Sequence, residues 1–440
     1  MVKEKKQKKD TSNFKKSKDS QNDTTQKLMS EAKNWICWPV LVFSLIIVLP
    51  VISSAIFPGL IHSSFSSFSS FEFYKQIVNP FEVGELGGII IVSNLIILGI
   101  GVIYYKKKMN LKKLFDFEIS NKVAWIIVLV ILSGYTAVTV NEISIPEPWG
   151  DFAPIKERIE KADRVDRWPI EEFLRGNENY SISEPHVKFT FLYFSLGVFE
   201  NMKVLPFIAS IALLLITYVL TTKITNKRIA GILALILVLQ SSIFLTYDTS
   251  PTYSNFWIVF YLVSLWLILK KWELSHVSFV VSIFSKALSA AFLPLTMFFI
   301  FRNTSSKKRL YLLGSFGILI ILGLGLYSLI SSESDEGHVI SENFWKGLSA
   351  SAVHLRFDPI ILIFILPLTI TLFFKSRAGF LQADSLQVFI GGVLLISALL
   401  SIFTTQTNEP YRLMPLVVFF AIGAGSLLAK IKKPDELLSR

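Results

Sequence analysis

The sequence predicts an all-α membrane protein that crosses the bilayer many times. Of its 440 residues, 52% are hydrophobic and only 18% are charged, whereas a soluble domain carries roughly 25% charged residues. Apolar runs of about 20 residues recur along the chain, and each is long enough to span the hydrocarbon core as a helix. These runs are uniformly apolar, whereas the strands of a membrane barrel alternate between apolar and polar positions. The composition therefore excludes a soluble enzyme.

Eleven apolar runs follow a polar N-terminal segment and define the predicted domains. Residues 1–33 hold ten lysines and five acidic residues, which is typical of a disordered tail. We expect two additional N-terminal membrane helices in 34–121, a main membrane domain in 122–430 and a short tail in 431–440. The runs lie at 36–56, 87–105, 122–140, 203–222, 228–246, 254–270, 276–301, 310–331, 359–374, 385–404 and 413–429.

The distribution of basic residues predicts the orientation of the chain. If the Lys-rich tail is cytoplasmic and the chain changes sides at each run, 31 of the 44 Lys and Arg residues lie on the cytoplasmic side. This count requires that the run 276–301 enters and leaves the membrane on the cytoplasmic side. The run would then form two short helices that meet around Ala287 to Pro294. We therefore expect about 11–12 membrane helices, with both termini in the cytoplasm.

The net charge of +11 is explained by this topology, so we expect no nucleic-acid partner. A single cysteine, Cys37, excludes a disulfide framework within one chain. No P-loop or GxGxxG pattern is present, so a nucleotide-binding site is not expected.

The segment 141–202, external in this topology, is too polar to span the membrane and too long for a simple connector. It contains twelve acidic residues and seven Lys or Arg residues. Apolar residues recur at helical spacing in 152–166, which predicts an amphipathic helix on the membrane surface. A second helix of this kind is predicted in 186–200. The third membrane helix is thus followed by a large external loop that carries interfacial helices.

Five short motifs at the external ends of the runs carry titratable groups. In chain order they are Glu147-Pro-Trp-Gly-Asp151, Glu184-Pro-His186, Tyr247-Asp248, Ser285-Lys286-Ala287 and Tyr411-Arg412. With the acidic external loop, this layout resembles the integral-membrane glycosyltransferases of the GT-C class, such as the protein O-mannosyltransferases and the aminoarabinose transferases of lipid A. The resemblance covers about residues 122–430.

The resemblance implies that Asp151 is the catalytic base. An acceptor hydroxyl must lose its proton as it attacks the anomeric carbon of a sugar, and a carboxylate within hydrogen-bond reach can take that proton. Glu147 and Glu142 are alternative bases. The structural alternative is that Asp151 only caps the helix that follows, by accepting hydrogen bonds from its amides.

The resemblance also implies that Lys286 and Arg412 bind the phosphate of the sugar donor. The order Tyr-Arg at 411–412 reverses the pair found in the family, so Arg356 is the reserve candidate. A guanidinium holds phosphate oxygens in a bidentate manner, which suits a leaving group that gains charge. The alternatives are that Lys286 snorkels to the membrane surface and that Arg412 forms a salt bridge with Glu409.

Asp248 and His186 are weaker candidates for contact with the substrate or a metal ion. Asp248 could share a site with Asp151 through a divalent cation held by oxygen ligands. The alternatives are an Asx turn at Asp248 and a solvated loop position for His186.

The implied function is transfer of a sugar from a polyprenyl (dolichyl) phosphate donor on the extracytoplasmic face of the cell membrane. The acceptor is a protein, a glycan or a lipid, and the membrane lipids supply the donor. Two other classes stay open: a transporter or lipid flippase, which intramembrane charges and broken helices would also suit, and a non-catalytic subunit of a membrane complex.

Overall fold

The structure, a computed structural model, describes residues 35–60, 81–107, 117–164, 185–330, 343–403 and 410–429. Within these ranges all regular secondary structure is helical, and no strand occurs. The predicted tails, 1–33 and 431–440, lie outside the described residues.

Sixteen α-helices make up the described part of the chain, and we number them in chain order. The first eight are α1 (Cys37–Ile56), α2 (Gly87–Lys107), α3 (Asn121–Thr139), α4 (Phe152–Arg164), α5 (His186–Phe199), α6 (Val204–Thr225), α7 (Arg228–Leu239) and α8 (Ser242–Tyr247). The other eight are α9 (Phe256–Lys270), α10 (Ser275–Ser285), α11 (Leu293–Asn303), α12 (Ser306–Ile330), α13 (Asn343–His354), α14 (Pro359–Arg377), α15 (Gln382–Phe403) and α16 (Met414–Ser426).

Five of these helices are long and apolar enough to cross a membrane. They are α1, α3 with the 3-10 turn that extends it, α6, α14 and α15. Shorter apolar helices, among them α7, α9 and α16, pack beside them. The chain is therefore an all-α polytopic membrane protein, as predicted. The finer count of 11–12 membrane helices stays a prediction.

Helix α3 shows how the bundle divides its surface between protein and lipid. Ala124, Val128 and Leu132 recur every four residues and are buried. Leu129 and Val130, on the opposite side, are exposed apolar side chains. This pattern of one buried face and one exposed apolar face is expected for a helix that borders lipid.

Helix α6 links two polar ends of the bundle. Next to its first residue, the Lys203 ammonium donates to the carbonyl of Glu142 at 3.4 Å. Beyond its last residue, the Arg228 guanidinium donates to the carbonyl of Ile119 at 3.0 Å. Because 22 helical residues extend about 33 Å, these contacts lie at opposite ends of the bundle. We call them the carboxylate end, where α6 begins, and the basic end, where α6 ends.

The predicted break in the run 276–301 is present. Helix α10 ends at Ser285, and Lys286 adopts an extended conformation with φ −163° and ψ 120°. A 3-10 turn, Ala287–Phe292, leads into α11, and Pro294 lies in its first turn. The sequence interpretation of two short helices is thus confirmed. The side of the membrane on which they begin and end stays a prediction.

Helix α4 is amphipathic as predicted, but its apolar face packs on protein. Ile159 is fully buried, in a small cluster that includes Phe189 and Leu192 of α5. The guanidinium of Arg158 lies 5.6 Å from the centre of the Phe189 ring. An apolar stripe predicts burial but does not distinguish a neighbouring helix from a lipid surface. Helices α4 and α5 therefore share a small core to which Ala209 of α6 and Phe256 of α9 also contribute. Helix α5 is apolar with a single charged residue, Lys188, so the prediction of a second amphipathic helix in 186–200 is wrong.

A buried ion pair joins α11 to α15. The guanidinium of Arg302 and the carboxylate of Asp384 are hydrogen-bonded, and their side chains are 4% and 0% exposed. We expect Arg302→Met to lower the free energy of unfolding by about 3–5 kcal/mol, because it leaves a buried carboxylate without its counter-charge. Unfolding in mixed detergent micelles measures this loss.

The control is the pair of Arg228 and Glu118, whose side chains are 38% and 29% exposed. Arg228→Met should cost less than about 1 kcal/mol, because water already screens this pair. Equal losses in the two variants would contradict the distinction.

The predicted topology is tested by cysteine labelling in a Cys37→Ala background, which removes the single, buried thiol. Lys161 and Lys308 are both exposed side chains. We expect Lys161→Cys to react with an impermeant maleimide in intact cells. Lys308→Cys should react only after permeabilisation, since the positive-inside rule places it in the cytoplasm. Labelling of both positions in intact cells would overturn the assignment.

Candidate functional site

The segment between α3 and α4 is held in place by a buried carboxylate. The Glu147 side chain is 1% exposed, and its Oε2 lies 3.4 Å from the ammonium of Lys203. Its Oε1 accepts a hydrogen bond from the hydroxyl of Ser250. Glu147 therefore ties this segment both to the start of α6 and to the loop between α8 and α9.

Asp151, four residues further on, is exposed immediately before α4. Its Oδ2 accepts a hydrogen bond from the Tyr253 hydroxyl at 3.0 Å. Among the described residues, no amide of α4 donates to this carboxylate, so the interpretation of Asp151 as a helix cap is wrong. The carboxylate has one defined donor and faces solvent.

Four aromatic side chains form a cluster beside Asp151. Tyr253 and Tyr411 stack with ring centres 4.2 Å apart and planes at 21°. Trp149 and Tyr247 pack against Tyr253, at 5.5 and 5.4 Å between ring centres. We call these four residues the aromatic cluster: Trp149, Tyr247, Tyr253 and Tyr411. It brings together three segments that are far apart in the sequence.

Lys286 contacts this cluster from the break between α10 and α11. Its ammonium lies 3.7 Å from the centre of the Tyr411 ring and 5.4 Å from that of Trp257. Such contacts stabilise a cation where water is scarce. The head group of Lys286 thus lies over aromatic rings of the protein, which contradicts the interpretation of a lysine that snorkels to the membrane surface.

Arg412 lies at the same place, with its guanidinium carbon 6.0 Å from the centre of the Tyr411 ring. It is close enough to Lys286 for the two charges to repel. The structure therefore brings together the two cations that the family resemblance singled out. Glu409, the alternative partner of Arg412, lies outside the described residues.

Lys188, in the first turn of α5, belongs to the same group and was not singled out from the sequence. Its ammonium donates to the carbonyl of Thr252 at 2.5 Å. Burial lowers the pKa of Lys188 to about 8, while Glu147 and Asp151 act in the opposite direction. The sequence could have pointed to Lys188, because it is the only Lys, Arg, Asp or Glu in α5. Lys286 was selected for the same reason, as a single charge in an apolar stretch.

Asp248 directly follows Tyr247 of the aromatic cluster and forms hydrogen bonds with two membrane helices. It is 1% exposed, and its Oδ2 accepts a hydrogen bond from Tyr135 of α3 at 2.8 Å. Its backbone carbonyl accepts one from Ser210 of α6 at 2.6 Å. Burial raises the pKa of Asp248 to about 7, and the nearby charge of Glu142 adds to this rise. Asp248 thus joins the loop before α9 to two long helices.

The divalent cation that could join Asp248 and Asp151 gains no support from the described residues. The described residues contain no group of three or more His, Cys, Asp or Glu side chains that could hold a metal ion, although a site of this kind requires several oxygen ligands. Asp248 and Asp151 each have a tyrosine partner of their own. His186 is the first residue of α5 and is 1% exposed, so the interpretation as a solvated loop residue is wrong.

The structure does not bring Arg356 to the cluster. It is exposed in the 3-10 turn Leu355–Phe357, and within the described residues it makes no contact with Tyr411 or Lys286. The next acidic residue, Asp358, accepts hydrogen bonds from the Ser241 hydroxyl at 2.8 Å and from the Ser242 amide at 2.6 Å. This part of the chain therefore supports α8.

The carboxylate end thus places an exposed carboxylate, a set of aromatic rings and three cations together. Comparison with known proteins adds no relative, because no protein-family model, curated protein or solved structure matches this chain.

Proposed function

We propose that this protein is a membrane glycosyltransferase that moves a sugar from a polyprenyl-phosphate donor to an acceptor hydroxyl. The reaction takes place on the extracytoplasmic face of the cell membrane, and both termini are cytoplasmic. The acceptor is a hydroxyl group of a protein, a glycan or a lipid.

The observation that supports this function best is the chain of contacts from Asp151 to Lys286. Tyr253 donates to Asp151 and stacks on Tyr411, and Tyr411 carries the ammonium of Lys286. A glycosyl transfer needs a base near the attacking hydroxyl and a positive charge near the leaving phosphate, separated by about one sugar ring. Two stacked rings between a carboxylate and an ammonium meet this requirement.

Asp151 fits the role of base better than the two glutamates. The carboxylate of Glu147 is already used by Lys203 and Ser250 and is almost inaccessible to solvent. The backbone of Glu142 accepts a bond from Lys203, and its charge acts on buried Asp248. Asp151 alone combines exposure with a single hydrogen-bond donor. It can therefore receive a proton without the loss of an ion pair.

In the proposed step, the acceptor oxygen forms a bond to the anomeric carbon as its proton passes to Asp151. The bond between that carbon and the phosphate oxygen breaks, and the electron pair stays on the phosphate. Lys286 and Arg412 stabilise this charge as it develops, which lowers the barrier because they bind the transition state better than the donor.

A transporter fits the arrangement less well. Transport sites lie near the bilayer midplane, at the interface between repeated units. The candidate charges here lie at the end of the bundle where α6 begins, and Asp151 is exposed there. This position favours a reaction at a membrane surface.

We expect Asp151→Asn to lower turnover by about 100-fold or more, because it preserves shape and removes the proton acceptor. The measurement is transfer of radiolabel from a panel of dolichyl-phosphate hexoses in proteoliposomes that contain the full chain. Donor binding should change little.

Tyr253→Phe is the matched control for the hydrogen bond to Asp151. It retains the ring stack and should lower turnover by about 10-fold or less, since one hydrogen bond to a charged group is lost. Wild-type turnover in Asp151→Asn would refute the assignment. The same large loss in Glu147→Gln, with Asp151→Asn unaffected, would move the role to Glu147.

Arg412→Lys tests the phosphate end of the site. The charge stays and the bidentate fork is lost, so donor affinity and turnover should each fall by about 10-fold. Arg356→Lys should leave both unchanged, because Arg356 is exposed and away from the aromatic cluster. Equal losses in these two variants would contradict the placement of the phosphate beside Tyr411.

A further inference from the structure

Two lysines, Lys188 and Lys286, lie close to one another at the carboxylate end, and among the described residues no carboxylate forms an ion pair with either of them. Lys188 donates to the carbonyl of Thr252, and Lys286 lies over the rings of Tyr411 and Trp257. Their positive charges repel each other. Burial and mutual repulsion both disfavour the charged form of two neighbouring ammonium groups, unless an anion binds between or beside them.

Lys188 interacts electrostatically both with the proposed base and with a second cation. Its partner Thr252 precedes Tyr253, which donates to Asp151. The ammonium of Lys188 is within electrostatic range of the Asp151 carboxylate and of the Lys286 ammonium. Its positive charge can therefore interact with the negative charge that moves from the acceptor hydroxyl to the phosphate during the proposed reaction.

The proposed reaction changes the charge of the phosphate. In the donor, the phosphate is a diester with one negative charge. When the bond to the anomeric carbon breaks, the phosphate becomes a monoester whose second ionisation has a pKa of about 6. The leaving group therefore carries close to two negative charges at neutral pH.

We propose that Lys188 is the cation that recognises this second charge, so that the site prefers a lipid phosphate monoester to a phosphodiester. This inference rests on the proposed function and deepens it. Lys286 and Arg412 bind the phosphate in both charge states, whereas Lys188 contributes when the leaving group forms. The consequence is stabilisation of the transition state and tight binding of the product.

The test is equilibrium binding of three probes to the purified full-length protein in detergent at pH 7.5. The probes are farnesyl phosphate, its methyl ester and farnesol, which carry about two, one and no negative charges. Wild-type protein should bind the monoester about 10-fold or more tightly than the methyl ester, the gain from one added charge-assisted contact. Farnesol should bind more weakly than either.

Lys188→Met keeps the length of the side chain and removes its charge. This variant should bind the two esters about equally, with the affinity for the methyl ester within about 3-fold of wild type, because only the contact with the second charge is lost. Lys188→Arg should retain the preference. Lys161→Gln, which removes an exposed lysine of α4, should behave as wild type.

The dependence on pH provides a second readout. The groups that face Lys188 are Glu147, Asp151 and Lys286. Since burial places the pKa of Lys188 near 8, the preference for the monoester should be present between about pH 6, where the monoester gains its second charge, and the pKa of Lys188. It should disappear above that pKa as the ammonium loses its proton. A bound dianion moves this transition upward. Lys188→Arg should keep the preference throughout, because a guanidinium stays charged.

The outcomes separate the inference from the proposed function. If wild type binds neither ester better than farnesol, the proposed lipid-phosphate site is wrong, and the inference is lost with it. If wild type binds both esters equally, the site stands but the role of Lys188 is refuted. An equal loss of affinity for both esters in Lys188→Met also refutes this role, because a purely structural lysine would affect the binding of both esters alike.

Discussion

The arrangement of the carboxylate end depends on the buried contact of Glu147 with Lys203 and Ser250. One carboxylate joins the segment after α3, the start of α6 and the loop before α9. That loop carries Tyr253, and the segment after α3 ends in Asp151, so this contact determines where the Tyr253 hydroxyl meets the Asp151 carboxylate. A buried charge that is paired and hydrogen-bonded favours one geometry, since any displacement leaves it unsatisfied.

The aromatic cluster separates charges that would otherwise neutralise one another. Tyr253 holds Asp151 by a hydrogen bond, and Tyr411 holds Lys286 by the face of its ring. A direct ion pair between this carboxylate and this ammonium would use both groups before a substrate arrives. The stacked rings maintain a distance at which each charge has a weak partner. In the proposed reaction, the acceptor hydroxyl and the donor phosphate would each replace one of these partners.

Buried charges that have a direct counter-charge differ from those that have none. At the basic end, Arg302 and Asp384 bind each other directly and join α11 to α15. At the carboxylate end, Lys203 pairs with Glu147, whereas the direct partners of Lys286 and Lys188 among the described residues are aromatic rings and a carbonyl. Removal of one partner from a buried pair is costly because it leaves an uncompensated charge, and a buried cation without a bound carboxylate is disfavoured in the same way until an anion binds. This contrast, more than the number of charges, distinguishes the candidate site from a structural cluster.

The sequence by itself determined the helical membrane class, because run length and composition reflect the thickness and polarity of the bilayer. It also determined the break in 276–301, since the positive-inside rule leaves no other place for the basic residues after it. Tertiary structure alone decided which charges meet. Tyr253 and Tyr411 are separated by seven helices, Lys188 was one lysine in an apolar helix, and Arg356 was the reserve candidate for the role given to Arg412. Local periodicity describes which face of a helix is buried. Only the packing of several helices decides which residues share a site, because that choice depends on contacts between segments that the local sequence does not encode.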